Sequence, residues 1–292
     1  MTVSVGIAGW SYADWKDVVY PRGCRDPLAH CLRYVDGIEI NASFYATPPR
    51  RRCARWADRA RQADTWFTAK LPRAFTHEGA LGAEAAGAVV DAFEPLLESG
   101  VLRCWLAQFS HRFDARPASR AYLRRLVAPF AARAPVAIEV RHRSWQRDEA
   151  LAFLRELGVS AVHLDYPGAS TGFGLRHTGV LGPERIAYVR LHGRNARDWF
   201  RKGAGRDEVY DYDYSTAEVE DLAAWVREIE AGAARVLVVA NNHFRGQAMK
   251  TALEIVAALR GTRVAVPEPL LRTWPVLRGI ASDPPRGLFG AF

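Results

Sequence analysis

Short apolar runs recur along the chain, and each ends in a group of polar residues. The eight runs are residues 3–12, 37–45, 66–73, 104–110, 136–145, 160–167, 187–194 and 236–243. Helix-like segments lie between them, at residues 50–63, 87–98, 119–133, 147–157, 216–231 and 246–260. In the segment 216–231, one helical stripe is formed by Leu222, Trp225, Val226 and Ile229. Strands that alternate with helices in this way predict βαβ units around a parallel sheet.

The number of strand runs indicates the fold class. Eight runs before residue 245 predict an α/β protein, a single TIM-type (β/α)8 barrel over residues 1–263. An open doubly wound sheet is the alternative. From residue 264 onward, prolines interrupt regular helix. We therefore predict a C-terminal Pro-rich extension over residues 264–292, wrapping the barrel or partly disordered, with Trp274 and Phe289 as anchors.

The composition is that of an ordinary globular protein, with 49% hydrophobic and 25% charged residues. No apolar run reaches the length of about 18 residues that a membrane span needs. The first strand run begins at Val3, which leaves no room for a signal peptide. We therefore expect a cytoplasmic protein without a membrane partner. The cysteines form no CxxC pair, which favours reduced thiols over a disulfide framework or a metal site.

The net charge of +8 raises the question of nucleic-acid binding. Only four of the 40 basic residues are lysines, at positions 16, 70, 202 and 250, and the arginines are scattered along the chain. The segment 194–214 combines arginines with five aromatic residues, Trp199, Phe200, Tyr210, Tyr212 and Tyr214. A segment of this kind predicts a lid over a site, or a surface that stacks a sugar ring or a base.

Polar residues at the ends of the predicted strands carry the candidate chemistry. Side chains two positions apart in a strand point to the same side of the sheet. The pairs related in this way are Glu39 with Asn41, Glu139 with Arg141, His163 with Asp165, and Arg190 with His192. Because barrel enzymes work at their C-terminal face, we expect these groups to meet at the upper mouth with Lys70, Gln108 and Asn241. The alternative is a structural lattice of ion pairs, in which the expected partners are Glu39 with Lys70, and Glu139 with Arg141 or Arg190.

Roles follow from the chemistry of these side chains. We assign catalysis to Glu39, Lys70, Glu139, Asp165 and His192. Neighbouring carboxylates in a partly dry pocket separate their pKa values, so that one holds a proton while another accepts one. We expect Lys70 to act as a charged clamp, although desolvation would make it a Schiff-base amine. The residues assigned to substrate binding are Trp10, Tyr12, Asn41, Tyr45, Gln108, Arg141, Arg190, Arg194, Asn241 and Asn242.

Two glycine-containing turns predict anion binding. Gly193 and Arg194 follow the seventh strand run, and Arg245 and Gly246 open the last helix. In many barrels the corresponding loops hold a phosphate group. Glycine allows close backbone approach, and arginine supplies paired donors. The alternative is that each glycine only permits its turn.

A set of short motifs recurs at the ends of the strand runs: Gly9-Trp10-Ser11-Tyr12 with Trp15, Glu39-Ile40-Asn41 with Phe44-Tyr45, Lys70 with Thr76-His77, Glu139-Val140-Arg141-His142 with Ser144-Trp145, Asp165, Tyr188 to Arg194, and Asn241-Asn242. Taken together, these motifs resemble the YecE-like family, the domain-of-unknown-function family seventy-two. The match runs from Val3 to Leu259. It implies a TIM-type barrel in a family described as sugar-isomerase-related. The chain departs from the family pattern at Gln108-Phe109-Ser110-His111 and at Ala240.

These features lead to one functional hypothesis and two alternatives. The first is an enzyme that acts on a small polar, sugar-like or phosphorylated substrate by acid–base chemistry, without a cofactor. The second adds Mg²⁺ or Mn²⁺, as in an isomerase, phosphodiesterase or nuclease, with the ligands Glu39, Glu139, Asp165 and His192. Nearby cationic side chains disfavour that version. The third is a non-catalytic module that binds nucleic acid through the basic aromatic segment. The oligomeric state has no signal in the sequence.

Overall fold

Parallel strands alternate with helices through most of the chain, as the pattern of apolar runs predicts. A computed structural model describes residues 2–168 and 179–282. The strands are β1 Val3–Ala8, β2 Gly37–Ile40, β3 Trp66–Lys70, β4 Leu102–Gln108, β5 Val136–Glu139, β6 Ser160–Ala161, β7 His163–Asp165, β8 Ile186–Leu191, β9 Arg235–Ala240, β10 Val264–Ala265 and β11 Ala281–Ser282. The α-helices are α1 Pro27–Cys31, α2 Arg50–Ala63, α3 Arg73–Thr76, α4 Ala83–Glu98, α5 Pro117–Ala131, α6 Asp148–Glu156, α7 Ala196–Trp199, α8 Arg206–Val209, α9 Thr216–Glu230, α10 Gln247–Arg260 and α11 Glu268–Thr273.

The main sheet forms a TIM-type barrel. Its strand order is β6-β5-β4-β3-β2-β1-β9-β8-β7, and all its pairings are parallel. β6 pairs with β5 and β7 pairs with β8, while Val162 between them donates to the Ile138 carbonyl at 3.0 Å. β6 and β7 are therefore two halves of one barrel strand, and the ring of eight positions closes there. The predicted fold class is confirmed.

Alternation along each strand separates two cores. In β8, Ile186 and Tyr188 belong to an apolar cluster inside the barrel, whereas Ala187 and Val189 belong to the larger cluster under the helices. The same parity holds in β3, where Trp66 is inside and Phe67 is outside. Every second strand residue therefore points into the barrel, and polar residues of that parity stand at its upper end.

The segment after α10 packs against the rest of the chain as far as it is described. Leu270 and Leu277 are fully buried, and Trp274 Nε1 donates to the Arg245 carbonyl at 3.0 Å. The prolines do not exclude helix there, because Pro269 occupies the first turn of α11, where a missing N–H costs nothing. Phe289, the other predicted anchor, lies outside the described residues. In the described ranges, every helix is too short or too polar to cross a bilayer.

At the lower end of the barrel, the ring of Trp66 occupies space that is free only because residue 37 is glycine. Gly37 pairs in register with Trp66, and a Cβ atom at Gly37 would lie 2.1 Å from Trp66 Cδ2. We expect Gly37→Ala to lower the free energy of unfolding by about 1–3 kcal/mol or more through overpacking. Urea denaturation measures this change in the free energy of unfolding. Gly87→Ala in α4 is the control and should be neutral or stabilising, because the added Cβ would meet no neighbouring atom within 4 Å. Equal stability of the two variants would contradict this packing.

Candidate active site

The upper half of the barrel encloses four charged side chains, which we call the Arg190 cluster: Arg190, Glu39, Glu139 and Arg141. Arg190 Nη2 donates to Glu39 Oε1 at 2.7 Å, and its Nε donates to Glu39 Oε2 at 2.9 Å. Arg190 Nη1 donates to Glu139. Arg141 Nε and Nη2 donate to Glu139 Oε1 at 2.9 and 2.5 Å. Two guanidinium groups thus neutralise two carboxylates, and every carboxylate oxygen accepts a charge-assisted hydrogen bond.

Polar neighbours complete the Arg190 cluster. The Tyr188 hydroxyl donates to Glu39 Oε2 at 2.8 Å and lies 2.7 Å from Thr68 Oγ1. The amide oxygen of Gln108 accepts from Arg190 Nη1 at 3.1 Å. These residues come from different strands, so the network ties the barrel together across its interior. The ion-pair lattice considered from sequence is confirmed for Glu139, but Glu39 pairs with Arg190 and not with Lys70.

Two of the predicted proton carriers do not titrate near neutral pH. Burial raises the pKa of Glu139, but the charges of Arg190 and Arg141 outweigh burial and hold that pKa well below its usual range. Burial, and then the charge of Arg190, lowers the pKa of His192 to about 3. Asn241 Nδ2 lies 2.9 Å from His192 Nδ1. Glu139 is therefore a fixed anion and His192 a neutral imidazole at pH 7, an arrangement that disfavours either as a proton carrier there.

Asp165 lies on the other side of the sheet. Its strand neighbour Leu164 points into the barrel and pairs in register with Arg190, so the opposite parity sends Asp165 toward the helices. There it accepts from Arg194 Nε at 2.9 Å and from the Tyr214 hydroxyl at 2.5 Å. Burial raises its pKa above the ordinary value, and the hydrogen bond from Tyr214 opposes that rise. The expectation that Asp165 joins the mouth is wrong, because the inward parity of this strand belongs to apolar residues.

The two turns predicted to bind an anion use their polar groups within the protein. The Gly193 N–H donates to the Tyr214 hydroxyl at 2.9 Å, and the Arg245 N–H donates to Asp14 at 2.6 Å. Arg194 is bound to Asp165 and to Glu218. Both glycines have a positive φ, and a Cβ at Gly193 would lie 2.5 Å from Tyr212 Cβ. The geometry thus favours the alternative, in which glycine permits the turn.

Asn242 also points away from the mouth. Its amide nitrogen donates to the Tyr212 carbonyl at 2.9 Å and to Thr251 Oγ1 at 3.0 Å. The side chain is fully buried between the segment 194–214 and α10. Since Asn241 and Asn242 are consecutive, only one of them has the inward parity, and that one is Asn241.

A cavity opens above the Arg190 cluster, with a volume of about 500 Å³. We call it the mouth cavity. Its lining comes from the ends of β1, β2, β3 and β9, from α2 and from the segment 194–214, and comprises Gly9, Trp10, Ser11, Tyr12, Asn41, Ala42, Tyr45, Arg52, Trp56, Lys70, Arg206, Tyr210, Asn241 and His243. Three of these side chains are cationic and none is a carboxylate. The mouth cavity therefore favours a ligand with negative charge.

Lys70 ends β3 at the junction between the mouth cavity and the Arg190 cluster. Its Nζ lies 4.8 Å from the centre of the Phe44 ring. Among residues 2–168 and 179–282, no carboxylate oxygen lies within 4.0 Å of this ammonium. Burial, and then the charge of Arg190, lowers the pKa of Lys70 to about 8. Because the two carboxylates nearby are already neutralised, Lys70 lacks a counter-charge of its own.

The segment 194–214 lies over the mouth, where the sequence predicts a lid. The Trp199 ring is 5.7 Å from the His192 ring, and the Tyr210 ring is 5.3 Å from the His243 ring. Arg206 Cζ lies 5.5 Å above the Tyr12 ring. Its two short helices, α7 and α8, thus cover the barrel end. Opening and closing of this cover stays a prediction.

Sequence reasoning located many of these residues and missed some. Of the predicted site residues, those that line the mouth cavity are Trp10, Tyr12, Asn41, Tyr45, Lys70 and Asn241. Those that lie beneath it are the buried Glu39, Glu139, Arg190 and His192 and the half-buried Gln108 and Arg141. Arg52 and Trp56 were not predicted to belong to the site. Trp56 lies on the apolar face of α2, so in the sequence it resembles an ordinary core residue. His243 was not among the predicted site residues, yet its ring stacks on the Tyr12 ring with the centroids 4.5 Å apart.

The residues present do not fit the divalent metal of the second hypothesis. Glu39 and Glu139 are bound by arginines, and Asp165 faces the helices. Among the described residues, no group of three or more His, Cys, Asp or Glu side chains is placed to hold a metal ion. A metal between Glu39 and Glu139 would have to displace the Arg190 guanidinium, which repels it.

Removal of Arg190 should expose the cost of the buried carboxylates. We expect Arg190→Met to lower the free energy of unfolding by about 3–5 kcal/mol, because Glu39 and Glu139 then lack a shared cation. Urea denaturation measures this loss of stability, and Arg143→Met at an exposed position is the control. Combining Arg190→Met with Glu39→Gln and Glu139→Gln should restore part of the loss. An Arg190→Met protein as stable as the control would contradict the assignment.

The buried imidazole of His192 should make the fold sensitive to acid. Its pKa of about 3 in the folded state lies below the ordinary value of about 6.5, so the unfolded chain binds an extra proton between these values. Stability should therefore fall by up to about 1.4 kcal/mol per pH unit below about pH 6.5 from this group. Urea denaturation at several pH values should give His192→Asn a shallower slope than wild type. His111→Asn, at an exposed position, should keep the wild-type slope; equal slopes for all three proteins would refute the effect.

Comparison with known proteins places this chain among relatives of matching length. UPF0759 protein YunF of Bacillus subtilis (strain 168) is 27% identical over 274 residues, which cover 88% of this chain and 94% of that protein. A crystal structure of a DUF72 family protein from Thermotoga maritima MSB8 has 31% identity and a TM-score of 0.73, covering 89% of this chain and 100% of that one. A DUF72 family protein from Enterococcus faecalis V583 has 27% identity and a TM-score of 0.75, with 88% and 95% covered.

A more distant likeness concerns the fold alone. D-allulose 3-epimerase from Methylomonas sp. shares 17% identity at a TM-score of 0.52, over 87% of this chain and 97% of that one. The family model described as protein of unknown function DUF72 matches residues 4–273, which is most of the chain. The chain therefore belongs to the DUF72 family.

Proposed function

We propose that the protein is an enzyme that binds a small, polar, anionic substrate in the mouth cavity and acts on it by proton transfer. The observation that carries this proposal is the uncompensated charge of Lys70. The Arg190 cluster is neutral by itself, so it offers Lys70 no spare anion. A carboxylate or phosphate group in the mouth cavity would supply the missing counter-charge, and its attraction would be strong because the site is partly desolvated.

The walls of the mouth cavity favour a sugar-like substrate. Trp10 and Trp56 meet edge to face at 5.3 Å, and Tyr12 adds a third aromatic ring. Aromatic rings provide apolar contact for the C–H groups of a sugar, while amides bind its hydroxyl groups. Asn41 and Asn241 are the amides of the lining, and Asn41 Oδ1 is buried without a hydrogen-bond partner among the described residues.

Proton transfer is assigned to Lys70 in this proposal. A group that carries protons works best when its pKa is near the working pH, and the pKa of Lys70 is about 8. The pKa values of Glu139 and His192 lie far from that range, so we assign these two side chains to holding Arg190 in place. The cation of Arg190 in turn keeps the pKa of Lys70 low. The sequence-based roles of Glu39 and Glu139 as proton carriers are replaced here by a positioning role.

The dimensions of the mouth cavity favour this version over nucleic-acid binding. A volume of about 500 Å³ is typical of a site for one small molecule. Arg201 and Arg206 of the covering segment form ion pairs with Asp198 and Asp207, so part of its basic charge is already neutralised. A strand of nucleic acid would need a longer groove of free cations.

The test is ligand-dependent thermal stabilisation. D-gluconate and inorganic phosphate should raise the Tm of the wild-type protein at pH 7, whereas neutral D-glucose should raise it less. Lys70→Met should abolish the rise, because it removes the charge that meets the anion. In the absence of ligand, Lys70→Met should raise the Tm at pH 7, since a buried ammonium without a counter-charge opposes folding.

The pH dependence has a defined sign. Gluconate binding should weaken as the pH rises from 7 to 9.5, because Lys70 loses its proton near a pKa of about 8 while the carboxylate of gluconate stays ionised. Lys202→Met, at an exposed position, is the matched control and should bind as wild type does. Gluconate binding that survives Lys70→Met, or that is constant over this pH range, would sink the proposal.

A further inference from the structure

Lysine is scarce in this chain, and Lys70 differs from the other three lysines. Lys16 and Lys202 are exposed. Lys250 is buried, but its Nζ lies 2.8 Å from Asp213 and 2.9 Å from Glu254. Only Lys70 is partly buried, free of an ion pair among the described residues, and in contact with a cavity. These are the surroundings in which a lysine amine becomes a nucleophile.

We propose that Lys70 forms an imine with the carbonyl carbon of a small anionic aldehyde or ketone bound in the mouth cavity. This inference rests on the proposed function and narrows its substrate class to carbonyl compounds. Lys70 would then be a catalytic residue through its nitrogen lone pair, in addition to its charge.

The geometry around Nζ favours the neutral amine. The Phe44 ring covers one side at 4.8 Å and offers no hydrogen-bond acceptor to the ammonium. Arg190 and Arg141 act on Lys70 as like charges, and Glu39 and Glu139, which act in the opposite sense, are bound to those arginines. His77, whose ring is 5.1 Å from the Phe44 ring, has a pKa lowered by burial and by Lys70, and an imidazole cannot supply the missing anion in either protonation state. The result is the pKa of about 8.

This environment greatly raises the fraction of Lys70 that is neutral and therefore reactive. At pH 7 an amine with a pKa of about 8 is about one-tenth neutral. An ordinary lysine with a pKa of about 10.4 is neutral in fewer than about one molecule in a thousand. Since only the neutral amine attacks a carbonyl, Lys70 should react well before Lys16 and Lys202 do.

The chemical step balances without a further reactant. The lone pair of Nζ forms a bond to the carbonyl carbon, and the carbonyl oxygen takes a proton from the same nitrogen to give a carbinolamine. Loss of that oxygen as water, with a second proton, leaves the C=N bond. Amine and carbonyl thus become imine and water, with no change of oxidation state. The protonated imine withdraws electrons from the neighbouring carbon, which eases proton removal there.

The lining supplies a reason for negative charge on the carbonyl compound. Arg52 and Arg206 stand at the rim of the mouth cavity, and among residues 2–168 and 179–282 Arg52 has no ion pair. Imine formation consumes the neutral form of Lys70, so another cation must hold the anionic group while the amine attacks the carbonyl. Arg52 is assigned that task, because Arg206 is already paired with Asp207. An aldehyde with an adjoining carboxylate is the smallest compound of this class.

The experiment is reductive trapping on the full chain. Glyoxylate and sodium cyanoborohydride are added to the folded protein at pH 7, and peptide mass mapping locates the alkylated amines. The four lysines and the terminal amine are resolved separately by the peptides. We expect Lys70 to be alkylated at least about tenfold faster than Lys16 and Lys202, the exposed controls. Neutral propionaldehyde should show a smaller preference for Lys70.

A Lys70 variant and the pH dependence of alkylation distinguish failure of the imine from failure of the proposed function. Lys70→Arg should lose the fast alkylation but keep the gluconate-dependent rise in Tm, because it retains the charge. The alkylation rate of Lys70 should rise with pH and level off above about 8, whereas the rates of Lys16 and Lys202 should continue to rise. Alkylation of Lys70 no faster than that of Lys202 overturns the imine. If gluconate still raises the Tm in that case, the proposed function stands and the imine alone fails.

Discussion

The structure depends on the pairing of Arg190 with Glu39 and Glu139 inside the barrel. Charges in such a place cost several kcal/mol unless each has a partner and its hydrogen bonds are satisfied. Arg190 meets this demand with a two-point contact to Glu39 and a further contact to Glu139, and Arg141 completes the balance. A planar guanidinium suits this task because its donors point in fixed directions and can serve two carboxylates at once.

That pairing determines what remains available for chemistry. All four carboxylate oxygens of Glu39 and Glu139 accept hydrogen bonds from arginine, so neither side chain has a free oxygen to offer a substrate. The same balance leaves Lys70 beside two guanidinium groups without an anion of its own. A neutral cluster thereby creates a site that favours an anionic ligand. The mouth cavity above it, with aromatic walls and two amides, gives that ligand a place to bind.

Much of the architecture could be predicted from alternation alone. The α2 range of residues 50–63 was predicted without error, and every strand run began within two residues of where the structure begins that strand. The inward pairs Glu39 with Asn41, and Arg190 with His192, also followed from a period of two. The errors at Asp165 and Asn242 have one cause. A polar residue at a strand end is equally consistent with either face, and only the neighbouring strands decide which parity points inward.

The sequence by itself determined the barrel, the order of its elements and the strand ends where polar groups collect, because periodicity and chain order are local properties. The tertiary structure alone decided that Glu39 pairs with Arg190 and not with Lys70, since residues from β2, β5 and β8 compete for one another across the barrel. It also brought Trp56 of α2 and Tyr210 of the covering segment to the same cavity. Partner choice and cavity walls depend on distances through space, and no spacing along the chain encodes them.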